Sequence, residues 1–184
     1  MPTSGETEVF IDPADLAAEL AAQGKDAFRR RYRGYFLRVV KFPDVDQDFL
    51  EPKTVETLSR STLVNGGGEP ANGNKPPRLG MLLRLQKSDR NVFKSRITVG
   101  RARNNDIVLR APKISKLHAV FVKEGDEISG IMDMGSANGT FLNGDLLPKN
   151  QVVEIGSGDS VHFWRFEFEF LDLEALLQRV TGKD

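Results

Sequence analysis

The sequence contains no cysteine, which excludes disulfides, thiol nucleophiles and cysteine-ligated zinc. No apolar run approaches the roughly 20 residues of a membrane-spanning helix, and the polar, acidic first residues are unlike a signal peptide. The chain holds 26 basic and 26 acidic residues, so it has no net charge to attract nucleic acid or an anionic membrane. We therefore expect a cytoplasmic protein with no cofactor, no metal and no membrane partner, in which any basic binding surface is local.

Short apolar runs separated by turn signals dominate the second half of the chain. The turns recur roughly every ten residues after position 78, a spacing typical of β-sandwiches. The stretch Phe166–Phe170 alternates phenylalanine and glutamate, which predicts a half-buried strand with its phenylalanines inward. The fold class predicted is mainly β, an antiparallel sandwich.

The first 77 residues differ in character and suggest a second, smaller part. Asp12 followed by Pro13 is a helix start, and Gly24 is a helix stop. A strand is predicted at 35–40. We expect residues 1–64 to form a small α/β appendage with mobile first residues, and residues 65–77, rich in glycine, asparagine and proline, to be a flexible linker. Residues 78–184 then hold the sandwich and a short helix near the end.

Four motifs follow one another in the loops of the predicted sandwich. They are Gly100-Arg101, Ser115-Lys116-Leu117-His118, the run from Gly135 to Thr140, and Asn143-Gly144. Their order and spacing resemble the forkhead-associated domain over roughly residues 78–172. The resemblance implies a β-sandwich that recognises phosphothreonine, and hence a signalling adaptor whose partners are a phosphothreonine-containing protein and a Ser/Thr protein kinase.

A phosphothreonine carries about −1.5 to −2 charge and three acceptor oxygens. The guanidinium of Arg101 suits a phosphate, Ser115 offers a hydroxyl donor, and Lys116 adds positive charge. The resemblance implies phosphate contacts for these three residues, a contact from Asn138 to the peptide backbone, and a rim that includes Ala137, where some members have a hydroxyl. It also implies that a further set supports the binding loops: Gly100, His118, Gly139, Thr140, Asn143 and Gly144.

Thr7 is a candidate phosphorylation site, because it lies among acids with Phe10 three residues on. The resemblance implies that a few bacterial members carry a similar segment, which binds their own phosphopeptide site when phosphorylated. The hypothesis is that Thr7 acts in this way here and excludes outside partners. The alternative is that Val9 and Phe10 only pack against the start of the first helix.

Three other functions stay open on the residues alone. Ser115 and His118 suggest a hydrolase, but no carboxylate is placed to orient the histidine and no nucleophile motif is present, so we expect no enzyme. A basic cluster from Arg29 to Lys41 suggests nucleic-acid binding, although Asp44, Asp46 and Asp48 offset its charge. A phosphate-independent interaction module is the third alternative.

Overall fold

A computed structural model describes residues 11–42, 79–89 and 92–182 of the chain. Thr7, the stretch at 65–77 and the acids at 44–48 lie outside the described residues. Within these residues there are two helices, α1 (Pro13–Arg31) and α2 (Leu173–Thr181). The strands are β1 (Tyr35–Lys41), β2 (Leu82–Leu85), β3 (Arg96–Gly100), β4 (Ile107–Val108), β5 (Ala119–Glu124), β6 (Glu127–Asp133), β7 (Thr140–Leu142), β8 (Asp145–Leu146), β9 (Val153–Glu154), β10 (Ser160–Phe163) and β11 (Phe166–Leu171).

The strands form two sheets. The larger has the order β2-β1-β11-β10-β7-β8, and the smaller has the order β4-β3-β5-β6-β9. Mainly β architecture is thus confirmed. The pairs are antiparallel except for β3 and β4, which run parallel with Val99 opposite Ile107, because the intervening loop returns to the level of Val99 before β4 begins.

A phenylalanine-rich core fills the space between the sheets. Phe166, Phe168 and Phe170 point into it from β11, as their alternation with glutamate predicts, and they meet Phe121 and Phe163. All five are buried, and each contributes on the order of 1.5–3 kcal/mol relative to an exposed side chain. This core holds the loops at either end of the sandwich in place.

The outer face of the larger sheet is also buried, beneath the two helices. Leu16 and Phe28 of α1, and Leu176 of α2, pack there against Phe36 and Leu82. Asp12 caps α1, accepting a hydrogen bond from the Ala14 N–H at 2.9 Å. At Gly24, where a stop was predicted, φ is +77° and the helix is kinked into two parts. Neither helix of the described residues has the length and apolar character to cross a bilayer.

Strand β1 lies inside the larger sheet, paired with β11 on one side and β2 on the other. The sequence analysis assigns this strand to a small N-terminal appendage outside residues 78–184. In the structure it contributes Leu37 and Val39 to the core between the sheets. Residues 11–42 therefore share their hydrophobic layers with residues 79–182. Local sequence patterns do not reveal pairing between strands that lie about 130 residues apart in the chain.

Candidate functional site

Three loops meet at one end of the sandwich, after β3, before β5 and after β6. Gly100 permits the first two to touch, since a Cβ there would lie 2.4 Å from the carbonyl oxygen of Lys116. The Arg101 N–H donates to the Ser115 carbonyl at 2.9 Å, and the Ala102 N–H donates to the Lys116 carbonyl at 3.2 Å. These contacts bring Arg101, Ser115 and Lys116 together.

Asn105 strengthens the same junction, and sequence reasoning missed it. Its buried amide donates to the carbonyls of Ala102 at 2.8 Å and Lys116 at 2.7 Å. A buried side chain that satisfies two loop carbonyls fixes their separation. No local pattern indicates this role, because the second carbonyl belongs to a different loop.

His118 is fully buried and braces two loops with both ring nitrogens. Its Nδ1 accepts from the Ser115 N–H at 3.2 Å, which leaves Nε2 as the protonated nitrogen that donates to the Gly139 carbonyl at 3.0 Å. Burial lowers the pKa of His118 and keeps the imidazole neutral. Because neither nitrogen faces the Ser115 hydroxyl, the pair does not form the base–nucleophile contact that a hydrolase needs.

Asp133 holds the third loop, and sequence reasoning missed this residue too. Its buried carboxylate accepts from the Ser136 N–H and hydroxyl at 2.8 and 2.6 Å, and from the Thr140 hydroxyl at 2.7 Å. Burial alone would raise the pKa of Asp133, but these hydrogen bonds outweigh it and lower the pKa below its usual range. The Ser136 hydroxyl in turn accepts from the Gly139 N–H at 2.9 Å.

The rim of the site consists of Ala137 and Asn138, both exposed. The Ala137 N–H donates to the Ser115 hydroxyl at 3.1 Å, so the hydroxyl proton remains available to a ligand. The Asn138 side chain donates one N–H to the Lys113 carbonyl at 2.7 Å. That bond does not use its Oδ1 or its second N–H. Asn138 is thus held beside the loop that carries Ser115.

Asn143 and Gly144 lie at the other end of β7 from this loop cluster. Both have positive φ, 53° and 91°, and form the two-residue turn between β7 and β8. The Asn143 side chain donates to Asp159 at 2.8 Å and accepts from the Ser160 N–H at 2.9 Å. These residues hold the hairpin, while Gly139 is hydrogen-bonded to His118 and Ser136, and Thr140 to Asp133, at the loop cluster.

The loops carry local positive charge although the chain is neutral. Residues 101–117 contain five basic side chains and one acidic one, Asp106, whose carboxylate is buried and hydrogen-bonded to Ser88 and Thr98. Arg101 and Lys116 are exposed, and neither forms an ion pair with the described residues. Burial, followed by repulsion from Arg103, lowers the pKa of Arg110. The charges at 103, 110 and 113 were absent from the predicted site.

The basic cluster near α1 is different, because much of it is already paired. Arg29 binds Glu174 at 3.0 Å, Arg31 binds Glu19 at 3.1 Å, and Arg38 binds Glu169 at 2.6 Å. These carboxylates come from α1, α2 and β11, whereas the acids at 44–48 were expected to offset the cluster. Within the described ranges, no three acidic or histidine side chains gather as metal ligands would.

Comparisons with known proteins match part of this chain. Residues 97–164 match the model of the FHA domain family. The chain is 37% identical over 73 residues to the oxoglutarate dehydrogenase inhibitor of Corynebacterium jeikeium, covering 40% of this chain and 48% of that protein. It is 31% identical over 134 residues to the Arabidopsis thaliana homolog of protein phosphatase 1 regulatory inhibitor subunit PPP1R8, covering 66% of this chain and 35% of that protein.

Among solved structures, Mycobacterium tuberculosis EmbR in complex with a low affinity phosphopeptide is 31% identical with a TM-score of 0.39, covering 42% of this chain and 20% of that one. Residues 97–164 of this protein are an FHA domain, a member of the forkhead-associated family. The chain spans about half or less of the length of the curated relatives it matches. The matched region begins within β3 and ends before β11, so it leaves out β1, β2 and both helices.

Proposed function

We propose that this protein binds phosphothreonine-containing segments of partner proteins through the loops around Arg101 and acts as a regulatory adaptor without catalysis of its own. The observation that carries the proposal is the close contact between Arg101 and the Ser115–Lys116 loop, which gathers two exposed cations and a hydroxyl donor. A phosphate dianion needs such a set. The relative named as an inhibitor of oxoglutarate dehydrogenase supports a regulatory role.

Within this arrangement each side chain has a distinct task. The planar guanidinium of Arg101 offers two parallel donors to phosphate oxygens, and the Ser115 hydroxyl donates a third hydrogen bond. Lys116 adds charge without fixed geometry. Asn138 offers its amide to the peptide backbone next to the phosphorylated residue. The neutral, buried His118 keeps the Ser115 loop and the Gly139 loop at fixed spacing, so little ordering is needed on binding.

The test is the binding of a degenerate phosphothreonine peptide library, with phosphoserine and unphosphorylated versions, measured by fluorescence anisotropy. Arg101→Ala should weaken phosphothreonine binding by about 2–5 kcal/mol, roughly 30-fold or more. Arg96→Ala is the matched control, because Arg96 lies at the opposite end of the same strand. Equal binding of the phosphorylated and unphosphorylated libraries would favour a phosphate-independent module, and unchanged binding by Arg101→Ala would misplace the site.

We further propose that phosphorylated Thr7 occupies this site in its own chain and excludes outside partners. Ile11 is hydrogen-bonded to Leu82 at the sheet edge, so four Cα–Cα steps, spanning at most roughly 13–14 Å, connect Thr7 to a fixed point. The stretch at 65–77 does not lengthen this tether, since β1 and β2 belong to one sheet. Phosphorylation of Thr7 should reduce external peptide binding independently of protein concentration, whereas Thr7→Ala should leave it unchanged under the same treatment.

A further inference from the structure

A cleft opens between the two sheets at the end of the sandwich away from Arg101. Its volume is about 290 Å³, and its lining among the described residues comes from β1 and β2 of the larger sheet and from β3, β5 and β6 of the smaller one. Lys123 in this lining lies four residues after Ala119, where β5 begins, and therefore roughly 13 Å along the strand. The loop that carries Ser115 enters β5 at the Ala119 end, so the cleft is separate from the phosphothreonine site.

The inner part of the cleft is apolar. Leu85, Ile97 and Ile128 line it, and the same three residues belong to the core between the sheets. All three are buried, so the core holds these side chains in place and the cleft ends on fixed aliphatic groups. An occupant with a short aliphatic part gains free energy by burying that part against them.

A lysine occupies a core-facing position of β5 at the mouth of this cleft. Phe121 belongs to the core, and residues two apart on a strand share a face, so Lys123 faces the space between the sheets. Lys123 is paired with Ile128 across β6 and is half-buried. It forms no ion pair with the described residues. An anion brought into the same partly desolvated space interacts with this ammonium more strongly than it does in bulk water.

Further basic residues line the cleft. Arg33 and Arg84 form no ion pair with the described residues, and Arg84 donates to the Arg33 carbonyl at 2.8 Å. Burial lowers the pKa of Arg84, so an anion nearby stabilises its charged form. Lys87 is held by Asp106 at 3.0 Å, and Asp126 is the one acid of the lining among the described residues. The cleft is therefore positive overall and complements an anion.

Hydrogen bonds between the two sheets fix the walls of the cleft. The Tyr35 hydroxyl on β1 donates to the Glu127 carboxylate on β6. The Asp106 carboxylate accepts from the N–H of Ser88, which follows β2, and from the N–H of Thr98 on β3, both at 2.8 Å. Each of these contacts joins the larger sheet to the smaller one. Walls that are already fixed need little ordering when a ligand binds.

We propose that this cleft binds the carboxylate of a short aliphatic acid, with the aliphatic part against Ile97 and Ile128 and the carboxylate paired with Lys123. The volume lies at the lower end of the about 300–1,000 Å³ typical of small-molecule sites, so the bound group is small. Because Asp126 offsets part of the positive charge, a singly charged carboxylate is better matched than a phosphate dianion. The carboxylate belongs to a free acid or to an acidic side chain of another protein.

NMR titration of the full chain with hexanoate tests this proposal without any phosphopeptide. Saturable shifts are expected at the backbone amides of Ile97, Lys123 and Ile128. Lys123→Met removes the ammonium but keeps the aliphatic stem, and it should weaken hexanoate binding about 10-fold. Lys123→Arg keeps the charge and should retain binding. Lys25→Met is the matched control, because Lys25 is exposed on α1 and does not line the cleft.

Two small probes and a peptide separate the parts of the ligand. Hexanamide, which lacks the charge, and acetate, which lacks the longer chain, should each bind at least about 10-fold more weakly than hexanoate. Shifts of the same amides by a glutamate-centred pentapeptide would assign the cleft to an acidic side chain, and shifts by hexanoate alone would assign it to a free acid. Arg101→Ala should leave hexanoate binding unchanged, whether or not Arg101 binds phosphate. The proposal is overturned if neither hexanoate nor the pentapeptide causes a saturable shift, or if Lys123→Met and Lys25→Met weaken binding equally.

Discussion

His118 shows how a buried histidine can hold two loops together. It satisfies one backbone group on the Ser115 loop and one on the Gly139 loop. Its ring also packs edge-on against Phe163, with centroids 5.9 Å apart. The spacing of Ser115 and His118 along the chain suggests a catalytic pair, but in the structure it places the histidine Nδ1 where it accepts from the serine's backbone N–H.

His118→Ala should lower the free energy of unfolding by roughly 2–4 kcal/mol. It leaves a cavity, removes the partner of the Ser115 N–H, and removes one of the two donors to the Gly139 carbonyl, which still accepts from the Trp164 N–H. The wild-type protein should also lose stability in acid. The folded state holds His118 neutral with a lowered pKa, while the unfolded chain takes up the proton near pH 6.5. The unfolded state therefore binds more protons as the pH falls below about 6.5, and stability falls with it.

Denaturant unfolding between pH 5 and 8 measures this dependence. The slope below about pH 6.5 should be reduced in His118→Ala. His162→Ala is the control, since His162 is the second histidine of the chain and lies half-buried on β10. A slope that vanishes in the control and persists in His118→Ala would contradict the assignment.

Gly100 also acts at the scale of a single residue, because its lack of a Cβ allows the loops after β3 and before β5 to come into contact. In Gly100→Ala, the methyl group would lie 2.4 Å from the Lys116 carbonyl and 2.9 Å from the Asn105 amide nitrogen. Relieving that overlap should cost about 1–3 kcal/mol of stability. It should also separate Arg101 from Ser115, so that phosphopeptide affinity falls while the fold is retained.

The matched control is Gly156→Ala, since a methyl group at that position has no neighbour nearer than 3.8 Å. Thermal unfolding of both variants measures the loss of stability, and fluorescence anisotropy with a phosphopeptide measures the loss of affinity. Equal affinity in Gly100→Ala and the wild type would mean that the close approach of these loops is not required for binding.

At the scale of elements, a buried carboxylate joins two strands and a helix. Glu169 on β11 accepts from Arg38 on β1 and from Arg179 on α2, each at 2.6 Å. Burial would raise the pKa of Glu169, but the hydrogen bonds and charges of the two arginines outweigh it and lower the pKa. The alternation at 166–170 predicts that this glutamate faces away from the core. It does so, yet it is buried by α2.

Glu169→Gln should lower stability near neutral pH by about 1–3 kcal/mol, since two charge-assisted hydrogen bonds are weakened. A lowered carboxyl pKa stabilises the folded state above the unfolded value, near 4.3, and that contribution is lost as the pH falls through the folded pKa. The acid-induced loss of stability below about pH 5 should therefore be shallower in the variant. Glu174→Gln, at the exposed Arg29 pair between the helices, should change neither stability nor slope appreciably. Denaturant unfolding of both variants over a series of acidic pH values measures these differences in stability and slope.

At the scale of the whole molecule, features that depend on near neighbours in the sequence could be predicted. Features that depend on contacts between distant parts of the chain could not. The cap at Asp12, the break at Gly24 and the alternation at 166–170 depend on neighbours within a few residues, and each was predicted correctly. The position of β1 depends on its pairing with β11, and the tasks of Asn105 and Asp133 depend on loops that meet only in the folded chain.

The last prediction concerns the dependence of the sandwich on residues 11–42. A chain that begins at residue 78 lacks β1, so β2 and β11 lose the strand between them, and the outer face of the sheet loses α1. Such a fragment should show no cooperative unfolding, because Leu37, Val39 and Phe36 are fully buried in the intact protein. Adding a peptide of residues 11–42 should restore a cooperative transition and binding of the phosphothreonine library.

A full-length chain with residues 43–77 replaced by a glycine–serine linker of equal length is the control and should unfold as the wild type does. A dispersed amide spectrum and a wild-type melting temperature for the fragment alone would contradict this account and restore a sandwich that is independent of the first 77 residues.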